Sequence, residues 1–241
     1  MENIQKTCDS ITQWLKDKVI EAGCKGVVFG LSGGIDSAVV AALSKRAFPN
    51  DSLGIIMPCH SISEDEEHAR LVSDALNLRT EKVDLSQVFD VYINKLNDTG
   101  SNVLALSNIK PRLRMTTLYY FAQINKYLVA GTSNKSEMTV GYFTKHGDSG
   151  VDILPIADFV KEEVRDLARY LNIPDIVISK PPSAGLWEEQ TDEKEMGFSY
   201  KQLDSYIRTG VAEQDVKKKI DNMNKLSEHK RRLPEMFKLD K

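Results

Sequence analysis

The 241-residue chain has few cysteines and no long apolar runs. Its three cysteines, Cys8, Cys24 and Cys59, form no CxxC pair and no even set, so neither a disulfide framework nor a zinc site is favoured. The longest apolar runs, such as "YLVAG" and "LGIIM", are too short to cross a bilayer, and the N-terminus lacks a signal-peptide pattern. We therefore expect reduced, mainly structural cysteines in a cytoplasmic protein with no membrane partner.

The chain also lacks an excess of positive charge. Its 35 acidic and 32 basic residues give a net charge of -3, the opposite of what nonspecific nucleic-acid binding requires. We expect no nucleic-acid partner, and any anionic ligand must be met by local cations. Hydrophobic residues make up 41% of the chain, which is enough for the core of one large domain or two small ones.

The apolar residues alternate between the periods of strands and helices. Ile4, Cys8, Ile11, Leu15 and Val19 follow helical spacing and predict a first helix ending near Gly23. The predicted strands are "GVVFG", "LGIIM", the region around "EKVDL", and "KYLVAGT". The further predicted helices are 36–47, "SEDEEHARLVSDALN", "RLRMTTLYYFAQIN" opened by Pro111, "KEEVRDLARYL", and the tail "AEQDVKKKIDNMNKLSEHKRR" with Val216, Ile220, Met223 and Leu226 on one face. This order predicts a parallel sheet covered by helices on both faces, with ligands at the carboxyl ends of its strands.

The stretch "SGGIDS", residues 32–37, lies on the predicted turn between the first strand and its helix. Backbone N–H groups at such a turn can meet phosphate oxygens with the help of the helix dipole. A Walker A loop carries lysine here, whereas this chain has Asp36 on what we expect to be a solvent-facing turn. The alternative is a Gly-Gly turn with Asp36 or Ser32 as an ordinary N-cap.

This stretch resembles the pyrophosphate loop of the ATP-pyrophosphatases, which cleave ATP between its α- and β-phosphates. Four further stretches, "NIKPRLRM", "GTSNKSEMTVGYFTKHGDSGVDILPI", "KPPSAGLWEEQTDEKEMG" and "SEHKRR", together resemble the ammonia-dependent NAD synthetases. The resemblance spans nearly the whole chain. It implies one synthetase domain over residues 1–241, with a mainly parallel, three-layer α/β/α fold that is adenine-nucleotide-hydrolase-like.

The implied activity is the last step of NAD biosynthesis, the ATP-dependent amidation of deamido-NAD by ammonia. It proceeds through an acyl-adenylate and releases AMP and pyrophosphate. The implied cofactor is Mg²⁺, the substrates are ATP, deamido-NAD and ammonia, and the implied assembly is a homodimer. An acid in the loop suits Mg²⁺, which takes one or two carboxylates plus phosphate oxygens.

The resemblance also assigns the nucleotide and metal contacts. The implied ATP contacts are Gly30, Leu31, Ser32, Gly33, Gly34, Ile35, Asp36, Ser37, Thr132, Lys161 and Ser183. Asp36 and Glu137 are the implied magnesium ligands. Lys161 stands near the start of a helix, against the dipole preference for acids there, and this position makes sense if its cation faces ATP phosphate. For Ser183, a simple turn serine is the alternative.

The implied deamido-NAD contacts are Arg112, Lys145, Asp152, His229 and Lys230. Arg112 has the alternative of lying on a solvated helix face, and Arg114 is the less favoured occupant of the same role. The "HKRR" cluster has the alternative of ordinary cations at a helix C-terminus. Asp148 is a candidate general base for ammonium. The stretches "HSISEDEEHA" and "SAGLWEEQTDEKEMG" are of the type that forms lids over a site, or else ordinary exposed loops.

Two other classes of protein remain open from the residues alone. A nucleotide-binding regulator with a decayed site predicts losses at Asp36, Glu137, Lys145 or Lys161, and all four are present. A tRNA-modifying pyrophosphatase predicts a basic surface and paired cysteines. We also expect free ammonia, not glutamine, to be the nitrogen donor. The resembling blocks leave 31 residues before Ser32 and 11 after Lys230, too few for a glutaminase, and no cysteine has a suitable base beside it.

Overall fold

The short buried strands form a parallel sheet at the centre of the molecule, described by a computed structural model over residues 3–96, 102–183 and 191–239. The strands are β1 (Gly26–Gly30), β2 (Ser52–Ile56), β3 (Arg79–Lys82) and β4 (Tyr127–Val129), in the order β3-β2-β1-β4. All three pairings are parallel. The predicted parallel sheet is therefore confirmed, although β3 lies slightly earlier in the chain than "EKVDL".

Helices cover both faces of this sheet. The described helices up to the fourth strand are α1 (Ile4–Glu21), α2 (Ile35–Ala47), α3 (Ser63–Ala75), α4 (Ser86–Lys95), α5 (Val103–Ser107) and α6 (Ile109–Asn125). Those after it are α7 (Lys135–Val140), α8 (Lys161–Tyr170), α9 (Asp175–Ser179), α10 (Asp192–Met196), α11 (Tyr200–Thr209), α12 (Gln214–Leu226) and α13 (Glu228–Arg231).

Side chains of one strand point alternately into two separate cores. Val27 and Phe29 of β1 pack with α1, α2, α3 and α8, whereas Val28 packs on the other side with α4 and α6. Alternation along a strand sends neighbours to opposite faces, so these clusters are the two helix–sheet interfaces of a three-layer α/β/α fold. The predicted fold class is confirmed.

A third cluster lies beyond the sheet and is formed by α7, α10, α11 and α12. Its buried centre includes Val140, Tyr200, Leu203 and Ile220. This cluster positions α7 and α11 beside the start of α8, where several charged side chains meet.

The C-terminal segment differs from its prediction. In place of one long helix, α12 ends at Leu226 and α13 follows after Ser227. The break lies where Ser227 packs on Gly141, because a Cβ added to Gly141 would come 2.0 Å from the Ser227 Cβ. Ile220 is buried as expected, but Leu226 is 68% exposed, so its assignment to the apolar face is wrong.

The order in which the strands are added to the sheet reverses between β1 and β4. The chain runs from β1 outward through β2 to β3, and then returns to place β4 on the opposite side of β1. In open parallel sheets, ligands bind at the carboxyl ends of the strands at such a switch point. Within the described ranges, no helix is both long and apolar enough to cross a membrane.

Candidate functional site

The loop after β1 leads directly into α2 at the switch point. Gly34 is the N-cap of α2, so the N–H groups of the following residues lie in the first turn, where an α-helix has no carbonyl to accept them. The Ser37 hydroxyl donates to the Gly34 carbonyl at 2.9 Å and accepts the Ser32 N–H at 3.2 Å. These bonds hold the loop in a closed turn at the start of α2.

Gly33 explains why this loop needs glycine. Its φ is +79°, and a Cβ there would come 2.2 Å from the Asp65 carbonyl oxygen and 3.0 Å from the His68 Cβ. The loop therefore packs directly on the first turns of α3. The stretch "HSISEDEEHA", expected to form a lid or an exposed loop, is largely part of this helix, and His68 is buried.

Asp36 does not lie on a solvent-facing turn as predicted. Its side chain is 16% exposed, and its Oδ2 lies 2.5 Å from the Nζ of Lys161. The same ammonium lies 3.2 Å from Oε1 of Glu137, whose side chain is also 16% exposed, while Lys161 itself is 2% exposed. Three residues distant in sequence thus form one buried ion cluster at the switch point.

Helix α7 supplies Glu137 through a capping box. The Asn134 side chain accepts the Glu137 N–H at 3.0 Å, and Glu137 Oε2 accepts the Asn134 N–H at 3.2 Å. The Asn134 Nδ2 also donates to Asp36 Oδ1 at 2.9 Å. Asn134 therefore orients both carboxylates of the cluster while it caps α7.

Helix α8 supplies Lys161 from its first position, and a carboxylate from another helix caps it. Buried Asp204 of α11 accepts the Glu162 N–H at 2.9 Å and the Ser136 hydroxyl at 2.6 Å. The Ser136 oxygen in turn accepts the Lys161 N–H at 3.1 Å. This arrangement places a negative charge at the helix N-terminus, which the dipole favours, and leaves the Lys161 side chain free to reach Asp36 and Glu137.

The pKa values of Lys161 and Glu137 are both above their ordinary values, for different reasons. Burial by itself lowers the pKa of Lys161, but Asp36 and Glu137 outweigh burial and hold the pKa above its ordinary value. Burial raises the pKa of Glu137 to about 8; Lys161 opposes this rise and Asp36 adds to it. One ammonium is thus shared by two carboxylates in a site with little water.

A third carboxylate, Asp192, lies close to the same ammonium. Burial raises its pKa and Lys161 opposes that rise. The Tyr200 hydroxyl donates to Asp192 Oδ2 at 2.9 Å, and the Lys161 Nζ lies 4.9 Å from the centre of the Tyr200 ring. Residues 184–190, seven of the fifteen residues of the predicted lid "SAGLWEEQTDEKEMG", lie outside the described residues, and Asp192 lies in the helical remainder of that stretch.

The two predicted metal ligands fit a hard divalent cation in their chemistry. Asp36 and Glu137 converge on one positive charge, and Mg²⁺ is held in proteins by one or two carboxylates together with phosphate oxygens. The positive charge on which they converge is the Lys161 ammonium. No group of three or more His, Cys, Asp or Glu side chains arranged for a metal occurs in the described ranges.

Four of the five predicted deamido-NAD contacts meet in a second cluster. Arg112 Nη2 donates to the Lys145 carbonyl at 3.3 Å, and Lys145 Nζ donates to the His229 carbonyl at 2.7 Å. Lys230 Nζ donates to the carbonyls of Gly141 and Phe143 at 2.8 and 2.9 Å. Three parts of the fold therefore bring several cations together. They are the start of α6, the segment that follows α7, and helix α13.

Asp152 stands apart from these cations. Its Oδ1 accepts the Tyr119 hydroxyl at 2.9 Å and its Oδ2 accepts the Val129 N–H at 2.8 Å. Its carboxylate thus joins α6 to β4. Among the predicted ATP contacts, half-buried Thr132 follows β4, and exposed Ser183 ends the described range 102–183.

Asp148, the candidate base, lies in the loop between the two clusters. Its Oδ1 accepts the Thr144 N–H at 2.9 Å. The residue keeps contact with solvent, yet protein crowds its carboxyl strongly enough to raise its pKa, against the bonds from Thr144 that lower it.

Several residues of the site were not predicted from the sequence. Asn134 had a local signal, because N-x-x-E before a helix is a capping box. Asp204, Asp192 and Tyr200 had none, since their roles arise only when α10 and α11 pack beside α8. Arg114 was the less favoured arginine of its block, and its guanidinium lies at the end of β2, where it donates to the Met57 carbonyl at 3.1 Å.

Comparison with known proteins gives consistent relatives. The family model described as NAD synthase matches residues 7–234. The NH(3)-dependent NAD(+) synthetase of Carboxydothermus hydrogenoformans is 51% identical over 237 residues, which cover 97% of this chain and 98% of that protein.

Two solved structures extend the comparison to the fold. An NMN synthetase from Francisella tularensis superposes with a TM-score of 0.95 at 32% identity, covering 98% of this chain and 99% of that one. The NH3-dependent NAD synthetase from Campylobacter jejuni, solved with a nitrate ion, superposes with a TM-score of 0.82 at 31% identity over 98% and 99%. The resemblance stated from sequence is confirmed at the level of family and fold.

Proposed function

The chain belongs to the NAD synthase family, and on that premise we propose that it makes NAD⁺ from deamido-NAD, ATP and ammonia. The observation that carries the proposal is the meeting of the Ser32–Ser37 loop with Asp36, Glu137 and Lys161 at the switch point of the sheet. Anion-binding backbone groups and a cation-binding pair of carboxylates are what ATP cleavage at the α-phosphate needs.

The first half-reaction makes the carboxylate reactive. An oxygen of the nicotinate carboxylate attacks the α-phosphorus of ATP, the bond to the β-phosphate oxygen breaks, and pyrophosphate leaves. The first-turn N–H groups after Gly34 cradle the pyrophosphate, and Asp36 and Glu137 hold Mg²⁺. When bound, this ion offsets charge on the leaving phosphates. The protein contributes mainly position and fixed charge.

Lys161 has a double role in this proposal. Its ammonium balances the two carboxylates when no other cation is present, and it offsets phosphate charge when ATP is bound. The short contact with Asp36 and the raised pKa of Lys161 keep the group protonated across the physiological range. A permanently charged group at this position can stabilise the pyrophosphate without any proton transfer.

The second half-reaction forms the amide. Ammonia attacks the acyl carbon, AMP leaves with the electrons of the acyl–oxygen bond, and one proton is released. Asp148 is the proposed acceptor of that proton, and the crowding that raises its pKa makes it a better base than an ordinary aspartate. The cations Arg112, Lys145 and Lys230 are proposed to bind the anionic dinucleotide.

Free ammonia is the proposed nitrogen donor. Cys8 and Cys59 are buried, and burial raises the pKa of both thiols, which opposes a role as nucleophile. His60, the neighbour of Cys59, directs its Nε2 to Asp90 Oδ1 at 2.7 Å. The printed name of the 51% identical relative, an NH(3)-dependent synthetase, supports the same donor.

A homodimer is part of the proposal. Helices α4, α5 and α6 expose apolar side chains in one region of the chain. These are Val88, Val91, Tyr92, Leu96, Val103, Leu104, Tyr119, Tyr120 and Ile124. A second copy packed here would cover this surface beside Arg112 on α6. A cytoplasmic location is also proposed, supported by the three cysteines in their thiol form.

The test is a complete reaction with ATP, Mg²⁺, ammonium and deamido-NAD. We expect NAD⁺ and AMP in equal amounts, and almost no NAD⁺ when ammonia-free glutamine replaces ammonium. Because a close structural relative is an NMN synthetase, nicotinate mononucleotide serves as the competing substrate. A higher kcat/KM for the mononucleotide, or comparable rates with glutamine, would contradict the proposal.

A further inference from the structure

Arg114 and Arg112 stand two residues apart on α6 and therefore point to opposite sides of the helix. Arg112 is exposed and bonds to the Lys145 carbonyl in the second cluster. Arg114 points back toward the sheet, where its Nε donates to the Met57 carbonyl at 3.1 Å and its Nη2 donates to Ser61 Oγ at 3.3 Å. Only Arg114 reaches the carboxyl end of a strand.

The Arg114 guanidinium has no carboxylate partner within ion-pair distance among the residues that the structure describes. Asp148 and Asp65 act on it from a distance, and burial lowers its pKa despite them. A guanidinium carries five N–H donors, and the contacts with Met57 and Ser61 occupy two. A crowded arginine without a carboxylate is rare, because an unpaired charge is costly to bury.

The position of Arg114 connects it to the nucleotide loop. Met57 directly follows β2, and its Cε lies 3.4 Å from where a Cβ of Gly30 would stand, at the end of β1. On the other side, Asp148 is close enough to influence the guanidinium. Arg114 thus lies between the end of β1, where ATP is proposed to bind, and the proposed base that acts on ammonia.

We propose that Arg114 binds an oxyanion at the reacting end of the substrates, between the loop after β1 and Asp148. The carboxylate of deamido-NAD is the favoured source, and the α-phosphate of ATP shares the same chemistry. The inference rests on the proposed function and adds a residue to it.

A carboxylate bound to Arg114 gives the site a way to distinguish substrate from product. The deamido-NAD carboxylate carries a charge that a guanidinium binds through paired hydrogen bonds, whereas the amide of NAD⁺ is neutral and similar in size. Loss of that charge in the reaction weakens the contact and favours release of the product. The same donors face the oxyanion formed when ammonia attacks the acyl carbon.

The experiment compares Arg114→Lys and Arg114→Gln with wild type. Arg169→Gln is the control, because Arg169 is exposed on α8 and its Nη1 lies 3.0 Å from Asp166 Oδ1 at the surface. Isothermal titration measures Kd for deamido-NAD, NAD⁺ and ATP, and ATP–pyrophosphate exchange measures adenylate formation separately from amidation. Circular dichroism and Tm establish that each variant is folded.

We expect Arg114→Gln to raise the Kd of deamido-NAD about 10- to 100-fold, with the Kd of NAD⁺ and of ATP unchanged. Arg114→Lys recovers part of the affinity. A rise in the Kd of ATP alone assigns the oxyanion to phosphate. Unchanged affinities in folded variants, or equal weakening of deamido-NAD and NAD⁺, would show a purely structural tie and overturn the proposal.

The wild-type protein also tests the proposal, without any variant. If Arg114 contacts the carboxylate, wild type binds deamido-NAD at least about 10-fold more tightly than NAD⁺. Two results together would overturn the proposal for both the carboxylate and the α-phosphate. They are equal affinities of wild type for deamido-NAD and NAD⁺, and an unchanged affinity for ATP in the better-folded Arg114 variant. Failure of wild type to make any NAD⁺ is a separate result, which refutes the proposed function and leaves the affinity comparison interpretable.

Discussion

Replacing Lys161 with methionine removes the charge from the buried ion cluster while keeping a side chain of similar length. In wild type, the ammonium lies 2.5 Å from Asp36 and 3.2 Å from Glu137 and is 2% exposed. Breaking a buried pair while its partner stays charged costs about 3 to 5 kcal/mol. We expect Lys161→Met to lose about that much of the free energy of unfolding at pH 8.

The loss depends on pH, and its sign follows from the shifted pKa values. The pKa of Lys161 is raised in the folded state, so its contribution to stability is fully present below its unfolded value of 10.5. The pKa of Glu137 is raised from 4.5 to about 8, so the folded state holds this proton more tightly than the unfolded state, and stability falls as pH rises between those values. Without the ammonium that opposes this shift, the pKa of Glu137 rises further, so the fall keeps the same slope and extends to higher pH.

Below pH 7 both folded proteins keep the proton on Glu137, so the deficit of Lys161→Met relative to wild type changes little there. Above pH 8 wild type releases this proton and its loss of stability ends, whereas the variant continues to lose up to about 1.4 kcal/mol per pH unit. Urea denaturation at pH 6, 7, 8, 9 and 10 measures the deficit. A loss of the same size at every pH would refute the account of a shared ammonium between two ionisable carboxylates.

Lys135→Met is the matched control for this substitution. Lys135 Nζ lies 2.8 Å from Asp158 Oδ1, but both side chains are exposed, at 41% and 90%. Exposed pairs contribute between about 0 and 1 kcal/mol. We therefore expect a small loss that does not vary between pH 6 and 9.

Three further predictions follow from other contacts. Asp36→Asn should lower NAD⁺ formation by more than about 100-fold. The loss of Tm should be modest, because Lys161 keeps Glu137 as a partner. Activity above a few per cent at low Mg²⁺ contradicts the metal assignment. Asp204→Ala should cost about 2 to 3 kcal/mol in urea denaturation, since it leaves the Ser136 hydroxyl and the Glu162 N–H without their acceptor; a neutral effect would exclude the capping role. Ile124→Asp should convert a dimer to a monomer in light scattering, whereas a wild-type monomer with full activity argues against the shared surface.

The prediction that ligands bind at the carboxyl ends of the strands required only local patterns in the sequence. "GVVFG" followed by "SGGIDS" and a helical pattern is a strand, a turn and a helix in immediate succession, and β1, the loop and α2 have those bounds. The alternation of short apolar runs with amphipathic helices likewise determined the parallel sheet and its layers. Such signals are local because backbone hydrogen bonding and the period of burial act over a few residues.

The partners of the charged residues were decided only by the tertiary structure. Lys161 was expected to face phosphate, and it lies between two carboxylates that come from α2 and α7. Asp36 was expected on an exposed turn and is mostly buried. The tail, expected as one helix, divides at Ser227 because Gly141 packs against it. Each outcome follows from contacts between distant segments, and no local pattern encodes which segments will meet.

The sequence by itself determined the strands, helices α1, α2, α3, α6 and α8, the layers and the loop that binds the nucleotide in the proposed reaction, because each depends on residues close together in the chain. The tertiary structure decided the charge balance of the site. It placed Asp204 at the start of α8, Asn134 between Asp36 and Glu137, and the Arg114 guanidinium beside Met57. Burial and the distance between charges determine pKa and affinity, and both are properties of the folded chain alone.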